Sequence, residues 1–230
     1  MSGVALKREA ISEQIIYMCE SNPNPCHIRD SEHRYVYINP AMVELLDLPK
    51  DFNIEGKLIT DIHHWMAIFL EEIYQHDKNV MDNKSTISLL ITSAFGRKDI
   101  VQPYIFNVHP FFNDKGYVIG TMAEAKLCKF FLPLQYVDGE LPVKLALNMP
   151  HSYFTERELE IIFFTYHGLS SKETARRLKI SHRTVENRLC NLYQKTHVNN
   201  IYQFREFCRD IDLDCYIPTN LLFPSIRVIG

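Results

Sequence analysis

The chain has 230 residues and a mass of 27.0 kDa, with 46% hydrophobic and 23% charged residues; this is enough to bury a core in one or two domains and excludes a disordered or fibrous protein. No run approaches the roughly 18 apolar residues of a membrane helix, and Met1–Gln14 carries Lys7, Arg8, Glu9 and Glu13 where a signal peptide would be apolar, so a cytoplasmic protein without a membrane partner is expected. The net charge of −3 conceals an asymmetry: residues 1–150 hold 14 Lys and Arg against 19 Asp and Glu, whereas residues 151–210 hold 10 against 7, so the back half is the one suited to a polyanion.

In chain order, residues Glu9–Glu20 set Ile11, Ile15 and Met18 at helical spacing, and Asn22-Pro23-Asn24-Pro25 then stops the helix. Cys26–Ile28, a polar turn over Arg29–His33 and the β-rich run Tyr35–Ile38 read as a hairpin. Asn39-Pro40 opens a short helix through Leu46, with Pro at the first helical position. Residues Ile62–Val80 place Trp65, Phe69 and Ile73 on one helical side, and three strands follow at Ser85–Thr92, Tyr104–Phe112 and Tyr117–Ala125. The last two strands are joined by Asn113-Asp114-Lys115-Gly116, whose Gly supplies a positive φ.

Strands, short helices and then three antiparallel strands form an α+β pattern around one sheet. The phrase Tyr37-Ile38-Asn39-Pro40-Ala41, the segment Gly56–Ile62 and the hairpin Asn113–Gly120 resemble the landmarks of a PAS domain, over roughly residues 14–126. That resemblance implies an antiparallel sheet with flanking helices and a small-molecule or protein signal. From Lys126 to Ser152, Pro133, Gly139, Pro142 and Pro150 interrupt apolar residues including Phe130, Phe131, Leu132, Leu134 and Leu145. This predicts a linker that packs against something rather than floating.

The stretch Phe154–Ile211 is the most informative. Thr155-Glu156-Arg157-Glu158 is a capping box, in which the Thr hydroxyl and the Glu carboxylate satisfy the first amides of a helix. Leu159, Ile162, Phe163 and Tyr166 recur at helical spacing, and Gly168 is placed to end that helix in the left-handed conformation. A second box, Ser170-Ser171-Lys172-Glu173, opens a short helix that turns Ala175 and Leu178 inward. Ser181 caps a third helix with Val185, Leu189, Leu192 and Tyr193 on its buried side, and a fourth from Asn200 buries Ile201, Phe204, Cys208 and Ile211. Two short helices joined by a tight turn form a helix-turn-helix.

Thr155-Glu156-Arg157-Glu158, Gly168–Glu173, Ala175, Leu178, Ile180-Ser181, Thr184-Val185, Asn191-Leu192 and Lys195 resemble the LuxR/FixJ class of bacterial DNA-binding domains without a gap. The expected layout is a PAS-like domain over 1–130, a linker over 131–151, an all-α four-helix LuxR-type helix-turn-helix domain over 152–215 and a tail over 216–230. The layout and the run Asn22–Asp30 are also similar to plasmid-transfer activators of the TraJ kind. What the LuxR resemblance implies is a sequence-specific, dimeric regulator of transcription on double-stranded DNA. It puts Glu186, Asn187 and Cys190 at base edges in the major groove. Asn can pair with adenine and Glu can accept from cytosine, each worth about 1–3 kcal/mol of discrimination. Lys172, Arg183, Thr184, Arg188 and Lys195 are the candidate phosphate contacts, and Asn200, Ile201, Phe204 and Cys208 the candidate homodimer face. Glu186 departs from a Lys frequent in the class, Arg188 from a His and His197 from a Gly.

No cofactor or metal is expected. The six cysteines (Cys19, Cys26, Cys128, Cys190, Cys208 and Cys215) include no Cys-x-x-Cys pair, so neither zinc nor a disulfide frame is indicated. His63, His64 and His76 raise haem as an option, but histidines on a mixed helix face read as surface residues. No flavin-photosensor cysteine run is present, and nothing basic surrounds Cys26 or Cys128 in sequence to favour a thiolate. Tyr37, Trp65, Phe69, Phe106 and Val108 read as core. No Gly-rich phosphate loop, His-Glu-x-x-His or Gly-x-Ser-x-Gly appears, so an enzyme is not expected. The rival to DNA binding is a protein-interaction adaptor.

Overall fold

A computed structural model describes residues 6–49, 51–62, 65–97, 100–130, 143–144 and 153–229. The chain forms two units, one comprising residues 1–128 with 223–230 and the other residues 129–222.

In the first unit a six-stranded antiparallel sheet runs in the order β2-β1-β5-β4-β3-β8, with β1 Cys26–Asp30, β2 Tyr35–Ile38, β3 Ile87–Phe95, β4 Ile100–Phe112, β5 Val118–Leu127 and β8 Ser225–Ile229. Strands β6 Lys129–Phe130 and β7 Val143–Lys144 form a separate two-stranded ladder in the second unit. Strands β3 and β4 pair without a slip from Ile87↔Val108 to Phe95↔Ile100. The period-two alternation therefore sends Leu89, Ile91, Phe95, Phe106 and Val108 to one face, where they pack with Ala123 and Ala125. Helices α2 Pro40–Leu45 and α3 Leu70–Asn83 cover that face through Met42, Leu45, Ile73 and Val80. The opposite face of β1 carries Cys26 and Ile28, which are covered by Ile11 and by Cys19 of α1 Glu13–Ser21.

Asn39 explains why the pieces meet at one point. Its side chain is fully buried; Oδ1 accepts from the Met42 amide that opens α2 (2.9 Å) and from the Cys26 amide of β1 (2.8 Å). Its Nδ2 donates to the carbonyls of Cys19, Asn22 and Asn24. One amide thus satisfies the end of α1, the start of β1 and the cap of α2, which leaves no polar group of Asn39 uncompensated. Gly120 has a different constraint. A Cβ built on it would lie 2.0 Å from the Arg29 carbonyl oxygen across the β1–β5 ladder, so the close approach of the two strands requires glycine. At the β4–β5 turn, Asn113 Oδ1 accepts from the amides of Lys115 and Tyr117, and Gly116 has φ +76°.

Several sequence expectations shift here. The leading helix starts at Glu13, because Arg8–Ala10 is a separate 3-10 turn. Met18 lies 57% exposed while Cys19 points inward. The predicted Ile62–Val80 helix is three pieces: 3-10 turns at Ile59–Ile62 and Trp65–Phe69, then α3. His76, read as a surface residue, is buried on α3. His63 and His64 lie outside the described residues, as do the side chain of Trp65 and most of the expected linker. Tyr37, Phe106 and Val108 are core, and Phe69 packs against it. The tail expected over 216–230 contains a 3-10 turn, Thr219–Leu221, and then β8, which pairs with β3 through Ser88↔Ile229 to Thr92↔Ser225. Ladder hydrogen bonds to an otherwise open edge, with Ile226 packed on the core, give this short segment its strand form.

The second unit is built on four helices, α4 Glu156–Tyr166, α5 Ser171–Leu178, α6 His182–Lys195 and α7 Ile201–Asp210. Its core comprises Phe154, Leu159, Ile162, Ala175, Val185, Leu192, Phe204 and Cys208 among others.

Candidate nucleic-acid interface

Each helix of this unit begins on a side chain. Thr155 and Glu158 form the first capping box; Ser170 and Glu173 form the second. Ser181 accepts from the Thr184 amide at 3.0 Å, and Asn200 accepts from the Gln203 amide at 3.0 Å. These bonds satisfy amides that a helix leaves unpaired in its first turn. Gly168 has φ +83°, as the end of α4 requires. Between α5 and α6 the left-handed position is held by Lys179, φ +55°, and the Ile180 amide returns to the Ala175 carbonyl at 3.0 Å. That three-residue connection delivers α6 across α5 as a helix-turn-helix.

On α6, Val185 and Leu192 are fully buried, with Leu189 and Tyr193 half-buried beside them. The core claims this stripe, so Arg183, Glu186, Asn187, Cys190 and Gln194 stand exposed on the opposite side. The three candidate base readers therefore share one solvent-facing helix surface. Glu186 lies 3.5 Å from His182 one turn earlier, both side chains being exposed. Lys172 and Arg183 are exposed, Arg188 is half-buried, and Thr184 is occupied in part by its hydroxyl contact with Ser181, 2.7 Å away. Arg176 on α5 and Lys179 in the turn, absent from the candidates named above, are also exposed cations. Their position beside Ala175 and Leu178 in the helical period was the available signal.

Two groups of expected site residues have partners or burial within their own unit. Lys195, a candidate phosphate contact, is turned back into its own unit. Its Nζ lies 3.0 Å and 3.3 Å from the two Glu158 carboxylate oxygens and sits over the rings of Tyr153 and Phe154, 5.0 Å and 5.1 Å from their centroids. Burial pushes the Glu158 carboxyl upward, but the Thr155 amide, the Lys195 ammonium and the Thr155 hydroxyl outweigh it and hold the group below its ordinary value. Phe204 and Cys208, candidates for the dimer face, are fully buried in the core of their own unit, and burial drives the Cys208 thiol up to about 12. Asn200 serves as a cap and Ile201 packs on the core. The face that α7 does present carries Tyr202, Gln203, Glu206, Arg209 and Asp210, with Tyr202 76% exposed.

The second unit is thus a capped four-helix unit holding a helix-turn-helix, and the first an antiparallel sheet with flanking helices. Residues 152–206 match the bacterial regulatory proteins of the luxR family, and residues 19–125 match the PAS fold. The second unit is thus similar to a luxR-family domain and the first to a PAS domain. Two solved structures share the fold along nearly the whole length. One is the phage VqmA–DPO complex, at 22% identity, with 95% of each chain covered and a TM-score of 0.68. Another is the Vibrio cholerae VqmA complex with ligand and DNA, at 21% identity, with 96% of this chain and 97% of that chain covered and a TM-score of 0.71. No curated protein sequence matches the chain. Among the described residues, no helix is long and apolar enough to cross a membrane.

Proposed function

We propose that this chain is a cytoplasmic, homodimeric regulator that lays α6 in the major groove of double-stranded DNA, under the control of a small molecule received by the PAS unit. The observation that carries the reading is the exposed stripe Arg183, Glu186, Asn187, Cys190 and Gln194 on a helix whose other side is locked in the core. Glu186, Asn187 and Cys190 read base edges; Lys172, Arg183 and Arg188 meet phosphates, joined by Arg176 and Lys179. The excess of three positive charges over residues 151–210 is small for a polyanion binder, so two copies on two half-sites supply the affinity that one lacks. Two copies pair in part through the exposed face of α7 at Tyr202 and Glu206, which replaces the buried pair Phe204 and Cys208 in that role. The structural relatives named above were solved with a ligand, and one of them with DNA, which supports control by a small molecule.

Selection of bound fragments from genomic DNA by the purified full chain tests the proposal. Enrichment of one partly palindromic motif, with half-sites about one helical turn apart, is the expected result. A soluble dimer that enriches no motif would overturn the reading and turn attention to a protein partner.

A further inference from the structure

The inner side of the first unit's sheet is apolar along β3 and β4 but polar at β1. His27 and Arg29 point to this side from β1, and Thr121, the cross-strand partner of Arg29, points there from β5. All three are more than nine-tenths buried. From α3, Asp77 reaches Arg29: Arg29 Nη2 donates to Asp77 Oδ1 at 3.0 Å, and Asp77 Oδ2 lies 3.1 Å from His33 Nδ1. Tyr35 lies edge-on to His27 with the Arg29 guanidinium over its ring, and Tyr74 stacks on His33.

Within this cluster four groups have buried polar atoms without a hydrogen-bond partner: both ring nitrogens of His27, Nε of Arg29, the hydroxyl of Thr121 and the hydroxyl of Tyr74. A buried polar atom left unpaired costs about 1–3 kcal/mol, so a group of them at one place is unusual for a region that serves packing alone. The charges, by contrast, are already matched. Asp77 uses both carboxylate oxygens, one on the Arg29 guanidinium. Burial, reinforced by the Arg29 charge, drives the His27 imidazole well below its ordinary pKa and keeps it neutral.

We propose that His27, Arg29 and Thr121 on the sheet, with Tyr74 on α3, form a binding site for a small uncharged molecule that carries hydrogen-bond donors and acceptors side by side. The inference rests on the reading of the PAS unit as the receiver of a signal and names the chemistry of that signal. Arg29 Nε can only donate, so the molecule presents an acceptor there. A neutral imidazole has one donor and one acceptor, so His27 calls for both. An anion or a cation would add a buried charge beside an ion pair that is already balanced. A hydrocarbon would leave every one of these atoms unpaired.

The test uses the full chain and four ring molecules of similar size: 2-pyrrolidinone (neutral, donor and acceptor), cyclopentanone (acceptor alone), cyclopentanecarboxylate and cyclopentylammonium. The readout is the Arg29 Nε–H resonance and the His27 ring signals during titration. Saturable shifts with 2-pyrrolidinone and none with the two ions are expected. Thr121→Val and His27→Phe should each weaken 2-pyrrolidinone about 5-fold, the equivalent of one lost hydrogen bond. Equal or better saturation by an ion, or no saturable shift with 2-pyrrolidinone in the unsubstituted protein, would overturn the site without needing either variant to fold. DNA affinity measured on the same sample separates the two claims. Saturable shifts with unchanged DNA binding would uphold the site and count against control by the PAS unit, whereas DNA binding without saturable shifts would sink the site alone.

Discussion

Lys195, in the last turn of α6, places its ammonium 3.0 Å from Oε2 of Glu158 in the first turn of α4, so one ion pair fastens the end of α6 to the helix that opens the unit. Because the folded-state carboxyl is held below its ordinary value, the pair contributes stability above the unfolded carboxylate pKa. That contribution is lost as pH falls through the lower, folded value. Lys195→Met should reduce stability by about 0.5–1 kcal/mol near neutrality, the two side chains being partly exposed. It should also flatten the acid limb of a urea-midpoint profile. The salt dependence of DNA binding should stay unchanged, and a reduced slope would restore Lys195 to the phosphate contacts.

Asn187 and Lys172 should separate reading from holding. Asn187→Ala is expected to lower affinity for the selected motif by about 1–3 kcal/mol with little change on random DNA. Lys172→Ala should weaken all sequences alike and reduce the salt slope by roughly one. Competition binding at several salt concentrations measures both, and equal losses on motif and random DNA for Asn187→Ala would end its base-reading role.

His197 adopts φ +56° at the end of α6, and the Val198 amide closes back on the Tyr193 carbonyl at 3.0 Å. A side chain is strained in that region and glycine is not. Although glycine adds freedom to the unfolded chain, His197→Gly should raise stability by roughly 0.5–1 kcal/mol. Chemical denaturation checks this, and a destabilised variant would show that the imidazole makes a compensating contact.

Asp77→Ala leaves the Arg29 guanidinium buried without its counter-charge. We expect a loss of about 3–5 kcal/mol in the first unit, and a smaller one when Arg29→Met accompanies it. Melting curves of the double variant and of Arg29→Met alone are decisive: a double loss equal to the sum of the two single losses would mean that the two residues are not coupled.

Removal of residues 223–230 uncovers the edge of β3 along Ser88–Thr92. Faster hydrogen exchange at the β3 amides that face β8, together with a lower melting temperature of the first unit, is the expected outcome. Unchanged exchange would show that β8 contributes nothing to the sheet.

The helix-turn-helix was legible because its signals are local. Thr155 with Glu158, Ser170 with Glu173, Ser181 and Gly168 act within four residues of themselves, and each sits in the structure where the chain pattern put it. The front helices were less legible. Ser12 and the 3-10 turns before Leu70 interrupt a helical period that apolar spacing alone reads as continuous. The orientation of the Lys195 ammonium was hidden as well, since its partner lies 37 residues away.

The amino-acid order by itself determined where the four helices of the second unit begin, which stripe of α6 is apolar, and hence which residues that helix can show to a partner; capping and hydrophobic period are short-range effects written in neighbouring residues. Only the tertiary structure decided that Phe204 and Cys208 are core rather than interface, that β8 returns to β3, and that Arg29, Asp77, His27 and Thr121 meet on one side of a sheet. Those facts depend on long-range packing, in which the burial of one side chain is fixed by residues far away along the chain.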